Sequence, residues 1–350
     1  MAPAQRLGGR PEETPAGPAD PSDGTANLPT SARRSLRLVL LSDRADAVGL
    51  GTTLIVIAAV FSVLSPYFLR ISNLSSIGVA ISLTGIVAAV ETIVLVSGSL
   101  DLSFTAVMAL SAIVGGVAMQ SGLSFWVALL LMFITGIAAG LLNSALVVGV
   151  GVNPLIATIG TQFVFRGIAL IWTGGQTLLV TGNELSTLAN GTILGIPIPV
   201  CAVVGVFAVV ALAMKYTRFG SRVYAVGGSE SAARLAGISI WRLRTLVFVY
   251  SSVAASAAGL LLLALSGSAS PIAASGQELT ILGAVILGGT SLAGGRGTVL
   301  GTALGVMLLG LIANGLDLLG VESFWQTLVE GIVLVTAITW DEVRRKAQER

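Results

Sequence analysis

The chain has 350 residues, 54% of them hydrophobic and only 10% charged, with a mean hydropathy of +0.93. That balance excludes a soluble globular domain and describes a polytopic, all-α membrane protein. The net charge is +2 with no histidine, which removes imidazole metal ligands and histidine proton relays, and the cations flank apolar runs, so nothing points to nucleic acid.

Residues 1 to about 32 are rich in Pro, Ala, Gly, Asp and Thr without periodicity, a composition that cannot bury enough surface to fold. Arg33, Arg34, Arg37 and Arg44 follow as a basic flank, so 1–44 reads as a disordered cytoplasmic tail and flank rather than a cleavable signal peptide. From 45 to 340 the chain reads as the membrane domain, where apolar runs of roughly 17–25 residues recur, the length that spans a bilayer core. They predict ten spans, at 48–64, 75–97, 101–120, 124–147, 153–173, 198–214, 246–264, 278–293, 298–318 and 325–340. Ten crossings from a cytoplasmic N-terminus return the C-terminus to the same side, where Arg344, Arg345, Lys346 and Arg350 lie in a short tail, 341–350. The 174–197 loop, which carries Glu184 but no lysine or arginine, then falls outside. Arg70 also falls outside, against the bias. The 43 glycines suit close helix packing, and Cys201, the single cysteine, heads an apolar run as a small packing residue.

Between the sixth and seventh spans lies a polar interval, residues 215–245, with six cations (Lys215, Arg218, Arg222, Arg234, Arg242 and Arg244) and one anion, Glu230. The positive-inside bias makes it cytoplasmic. Within it Ser229 is placed to cap a short helix, Glu230 sits in the first turn, Ala232, Ala233, Arg234, Leu235 and Ala236 follow, and Gly237 ends it. On spacing alone this small-residue helix fits either a cleft on another protein or the membrane surface. Two glycine-rich breaks interrupt the spans, SGSLDLS at 97–103 and LGGTSLAGGRGT at 287–298. In the first, Asp101 is placed to cap the third span. The second lies between membrane spans and lacks the preceding strand and following acidic residue of a dinucleotide site, so it predicts a tight backbone re-entry instead. Neither lysine belongs to a GxxxxGK[ST] phosphate loop.

Four ordered stretches, GSLDLSFTAVMAL, NPLIATIGTQFVFRGIAL, TRFGSRVYAVGGSESAARLAGI and ELTILGAVILGGTSLAGGRGTVLGT, resemble the membrane permease subunit of ribose- and xylose-type ABC importers across most of residues 50–340. The resemblance implies a permease of the bacterial inner membrane that is not itself an enzyme and needs no cofactor. The partners it implies are a second permease copy, an ATPase subunit and an extracytoplasmic sugar-binding protein. It identifies Glu230, Ala232, Ala233, Arg234 and Gly237 with the cytoplasmic coupling helix that docks on the ATPase. One departure concerns the first break. Where the family commonly reads Gly-Gly-Ile-Asp-Leu-Ser-Val-Gly, this chain has Ser97, Gly98, Ser99, Leu100, Asp101, Leu102, Ser103 and Phe104.

Polar residues in the spans are the candidates for a translocation path: Glu91, Asp101, Ser103, Asn153, Thr158 and Gln162. Arg166 lies thirteen residues past Asn153, roughly 20 Å into a core about 30 Å thick. Glu330 lies five residues past Trp325, roughly 8 Å from the outer edge, so depth alone predicts an ion pair between the two. A rival reading, a self-sufficient proton-coupled transporter, would use Glu91 or Glu330 as its protonatable group. It has no use for a cytoplasmic docking helix. A membrane enzyme lacks a candidate nucleophile and base.

Overall fold

A computed structural model describes residues 48–348, all within one compact unit, Asp43–Arg350. The expected disordered tail and its basic flank lie outside the described residues. In chain order the helices are α1 (Val48–Leu64), α2 (Ile71–Val96), α3 (Phe104–Gln120), α4 (Phe125–Ser144), α5 (Pro154–Thr173), α6 (Asn183–Asn190), α7 (Ile198–Tyr216), α8 (Arg218–Gly228), α9 (Glu230–Leu235), α10 (Ile240–Ser266), α11 (Gln277–Leu287), α12 (Val299–Leu318) and α13 (Ser323–Gln348). Among the described residues, α2, α4 with its following turn, α5, α7, α10 and α12 are long and apolar enough to cross a membrane, and α1, α3 and α11 are shorter apolar helices. The chain is an all-α, multi-pass membrane protein.

Local sequence explains where these helices stop. The α2 helix gives way at Gly98, and α4 widens into a π-helical turn, Ala145–Val150, before Gly151, both glycines having positive φ. Asn153 then accepts a hydrogen bond from the Leu155 amide, and Pro154 opens α5 at the position where a missing N–H costs nothing. The eighth span, expected over 278–293, ends at Leu287, because Gly288 and Gly289 turn the chain and Gly289 adopts a φ of +86°.

At the centre are α2 and α10. Every residue from Gly85 to Val96 is buried, which is why this helix shows no polar face. The outer helices instead turn apolar side chains outward, among them Phe163 and Ile171 on α5 and Val209 on α7, as lipid-facing surfaces require. Packing of α4 on α10 depends on Gly136 and Gly140, four residues apart on one face. A methyl group at Gly140 would press on the Phe248 carbonyl and the Val249 backbone, and one at Gly136 on Ser252 and Ser256. Hydroxyl and amide pairs hold this crossing and others. Ser144 and Thr245 lie 2.6 Å apart, Thr92 and Thr302 lie 2.7 Å apart, and Asn73 and Asn314 exchange hydrogen bonds of 2.9 and 3.0 Å.

The bundle has two distinct ends. At one, Gln120 donates to the Leu179 carbonyl, and β1 (Leu178–Leu179) pairs antiparallel with β4 (Ser268–Ala269). A two-residue hairpin there joins β2 (Thr192–Ile193) to β3 (Ile196–Pro197), with Leu194 and Gly195 both at positive φ, as a type I′ turn demands. At the other end three glycine-rich segments meet. The Gly295 amide donates to the Val96 carbonyl at 2.8 Å, Gly294 abuts Gly98, and Tyr224 donates to the Gly297 carbonyl at 2.8 Å. Gly227 sits against Val96 so closely that a methyl group would overlap its carbonyl oxygen.

Two substitutions test this packing. Gly140→Ala should destabilise the bundle by about 1–3 kcal/mol, the cost of overpacking a filled crossing. Gly205→Ala on α7, where the space for a methyl group is open, should be neutral. Thermal unfolding in detergent reads both.

Candidate functional site

The polar interval between α7 and α10 folds as two short helices. Thr217 caps α8 by accepting from the amides of Phe219 and Gly220 at 3.2 and 3.4 Å, and Ser229 caps α9 by accepting from Ala232 at 3.3 Å. Glu230 is held from two sides: Arg234 reaches its Oε1 at 3.0 Å, and Arg244, on α10, reaches its Oε2 at 2.8 Å. Partial burial disfavours the Glu230 charge, but Arg244 and Arg234 outweigh that and hold its carboxyl below the usual carboxylate value. At the other end Gly237, at φ +77°, stops the helix, and the Ile238 amide returns to the Ala233 carbonyl at 3.0 Å. Ala233 is buried, whereas Ala232, Leu235 and Ala236 are exposed, Leu235 at 91%. The result is a small, mostly alanine face with one projecting leucine, locked to the first turn of α10.

Deeper in the bundle the polar candidates fall into two clusters. Glu91 and Asp101, both fully buried, approach the same hydroxyl: Ser251 Oγ lies 2.6 Å from Glu91 Oε1 and 2.8 Å from Asp101 Oδ2. Asp101 Oδ1 accepts from both the amide and the hydroxyl of Ser103, at 2.8 and 2.7 Å. Asn143 donates to Ser103 Oγ at 2.7 Å and accepts from Thr161 at 2.6 Å. Asp101 therefore does not stand at the N-cap of the third span as expected. The helix begins at Phe104, with Ser103 in the capping position, and Asp101 braces the turn before it. Thr158 Oγ1 touches the same break, 3.4 Å from the Leu100 carbonyl. Asn153 joins neither cluster and serves as the exposed cap of α5.

The second cluster is built on Glu278, in the first turn of α11. Its Oε1 accepts from Gln162 at 2.6 Å and from Thr105, and lies 3.8 Å from Arg166. Arg166 also donates to the carbonyls of Pro271 and Ala273 at 3.1 and 2.9 Å. The expected Arg166–Glu330 pair is thus replaced by Arg166–Glu278, while Glu330 accepts from Thr280 at 3.3 Å and lines a cleft of ≈ 300 Å³ with Asp317 and Asn314. Depth counted from the membrane edge misplaces the partner because α11 has only 11 residues, about 16 Å of rise. It starts within the bundle, so Glu278 reaches the level of Arg166. Glu278, Ser251, Asn143 and Thr161 were missed; the only signal in the sequence was an acidic residue at the edge of an apolar run. Among the described residues no group of three or more His, Cys, Asp or Glu side chains could hold a metal ion.

Two outcomes follow from this geometry. Glu278→Gln should cost about 1.5–3 kcal/mol of stability, the range for hydrogen bonds to charged groups, and more than Glu330→Gln does in the same unfolding assay. Because its native value lies below its unfolded one, Glu230 stabilises the α9–α10 junction fully above the ordinary carboxylate range, roughly pH 4 to 5. That contribution falls away as the pH drops through the lower native value. Hydrogen exchange of the α9 amides should accelerate over that acid window in the parent and not in Glu230→Gln.

A family described as branched-chain amino acid transport system / permease component matches residues 73–338. The ribose import permease protein RbsC of Bacillus subtilis (strain 168) is 38% identical over 291 residues, 82% of this chain and 90% of its own length. RbsC of Escherichia coli (strain K12) is 35% identical over 296 residues, 83% of this chain and 92% of its own. The L-arabinose transport system permease protein AraH of the same strain is 32% identical over 306 residues, 84% and 91% of the two chains. No solved structure matches the chain. With a family match across most of its membrane domain and relatives aligned over nearly their whole length, the chain belongs to this permease family and is a transport subunit, not an enzyme.

Proposed function

We propose that the chain forms the membrane path for a monosaccharide or related polyol in a bacterial ABC importer of the inner membrane. The solute class is carried over from relatives named for ribose and arabinose. On this reading a sugar-binding protein delivers the solute at the β1–β4 end of the bundle, and an ATPase subunit docks on α9 at the other. The observation that carries the reading is the α9 helix itself. Its exposed Ala232, Leu235 and Ala236 offer a shallow, small-residue face, and the Glu230–Arg244 bond ties that face directly to α10, the central helix of the core.

Orientation follows from charge. Lys215, Arg218, Arg222, Arg234 and Arg296 are exposed at the α9 end, which the positive-inside bias makes cytoplasmic. The ten-span arrangement with both termini on that side is supported by helix direction: the Val96 end of α2, the α8–α9 interval and the 289–297 loop, all expected inside, pack together. Two permease copies are proposed to meet along the apolar outer face of α5, where Ile156, Phe163 and Ile171 are exposed. Gln162, half-buried on the same helix, then lies near the shared boundary as a path residue, with Thr158 one turn below it.

Docking variants test this. Glu230→Arg and Gly237→Pro should abolish sugar uptake and co-purification of the ATPase while the permease still inserts in the membrane. Normal uptake by both variants would remove the docking assignment. In a Cys201→Ala background, a cysteine at Glu184 should react with an impermeant reagent added outside intact cells and one at Ser231 should not; the opposite pattern would invert the orientation.

A further inference from the structure

The cluster around Ser251 poses a counting problem. Ser251 has one hydroxyl proton, yet its oxygen lies within hydrogen-bonding distance of two carboxyl oxygens, Glu91 Oε1 at 2.6 Å and Asp101 Oδ2 at 2.8 Å. An ionised carboxylate only accepts, so with both acids charged one of these contacts would set two acceptors against each other. A proton on one of the acids removes the conflict. It lets that acid donate to Ser251 while Ser251 donates to the other.

Which acid carries it follows from the remaining bonds. Asp101 has three donors aimed at its two oxygens: the Ser103 amide, the Ser103 hydroxyl and Ser251. The neighbouring bonds run the same way, from Thr161 to Asn143, from Asn143 to Ser103 and from Ser103 to Asp101. Among the described residues Glu91 has Ser251 alone, and its Oε2 is buried without a hydrogen-bond partner. A charge on Glu91 would therefore sit half unsolvated at a fully buried position, whereas the carbonyl oxygen of a neutral acid tolerates that place far better. None of the ion pairs among the described residues reaches either acid, so no arginine or lysine is at hand to offset a second charge.

We infer that Glu91 is a protonated acid that donates to Ser251, which in turn donates to an ionised Asp101, so that a stored proton is a structural part of the permease. The site takes a proton and not a solute. Glu91 is a positioning residue: through Ser251 it fixes the 97–103 break, whose Gly98 abuts Gly294 at the end of the bundle that carries α9.

Infrared spectroscopy of the detergent-purified permease at neutral pH reads this directly. The parent should show the carbonyl stretch of a protonated carboxyl group, Glu91→Gln should lose it, and Glu330→Gln should keep it. Ser251→Ala should shift it, because the acid loses its acceptor, and this assignment holds even if Glu91→Gln does not fold. A parent spectrum without the band, or a band unchanged by both Glu91→Gln and Ser251→Ala, overturns the inference. So does a band that appears only when sodium is replaced by choline, which would mean that a cation, not a proton, neutralises the pair.

Discussion

Backbone that leaves the helix inside a membrane bundle must find every hydrogen bond within the protein, since hydrocarbon supplies none. Residues 97–103 face that demand in this permease, and part of the core is arranged to meet it. The Val96 carbonyl is taken by Gly295, the Ser103 amide by Asp101, and the Leu100 carbonyl faces Thr158. Asp101 is itself costly to bury, and Ser103, Ser251 and, behind them, Asn143 compensate for it. Asn143 comes from α4 and Ser251 from α10, and Ser103 caps α3, so satisfying one short segment binds these helices together.

The same segment touches the end of the bundle that carries α9. Its Gly98 abuts the glycine loop that follows α11, and Gly227, at the end of α8, lies against Val96 with no room for a side chain. The α9 helix is joined to α10 by Glu230 and Arg244, and α10 carries Ser251 seven residues on from Arg244. If an ATPase docks on α9 as proposed, a displacement of that helix would pass along the buried, close-packed α10 rather than through a loose loop. The cluster of Thr105, Gln162, Arg166 and Glu278 lies next to this segment in the chain, Thr105 two residues past Ser103 and Gln162 one past Thr161, and there Arg166 holds the 271–273 turn against α5.

The class of fold was legible from composition and run length, because lipid-facing helices must be apolar over a bilayer's thickness. The cap at Ser229 and the stop at Gly237 were legible because short-range hydrogen bonding decides them. The polar clusters were not. Ser251, Asn143 and Thr161 are unremarkable in an apolar run, and only the crossings of α2, α4, α5 and α10 bring them together. The pairing of Arg166 went astray for a related reason: counting residues from the membrane edge assumes that each helix starts there, and α11 does not.

This chain provides a path and leaves the driving force to a partner. Uptake of radiolabelled ribose, arabinose and other monosaccharides into proteoliposomes tests it most directly, with the permease alone under an imposed proton gradient and with its ATPase, binding protein and ATP. At least one sugar should be taken up, and only when ATPase, binding protein and ATP are all present. Accumulation driven by the proton gradient with the permease alone would contradict it.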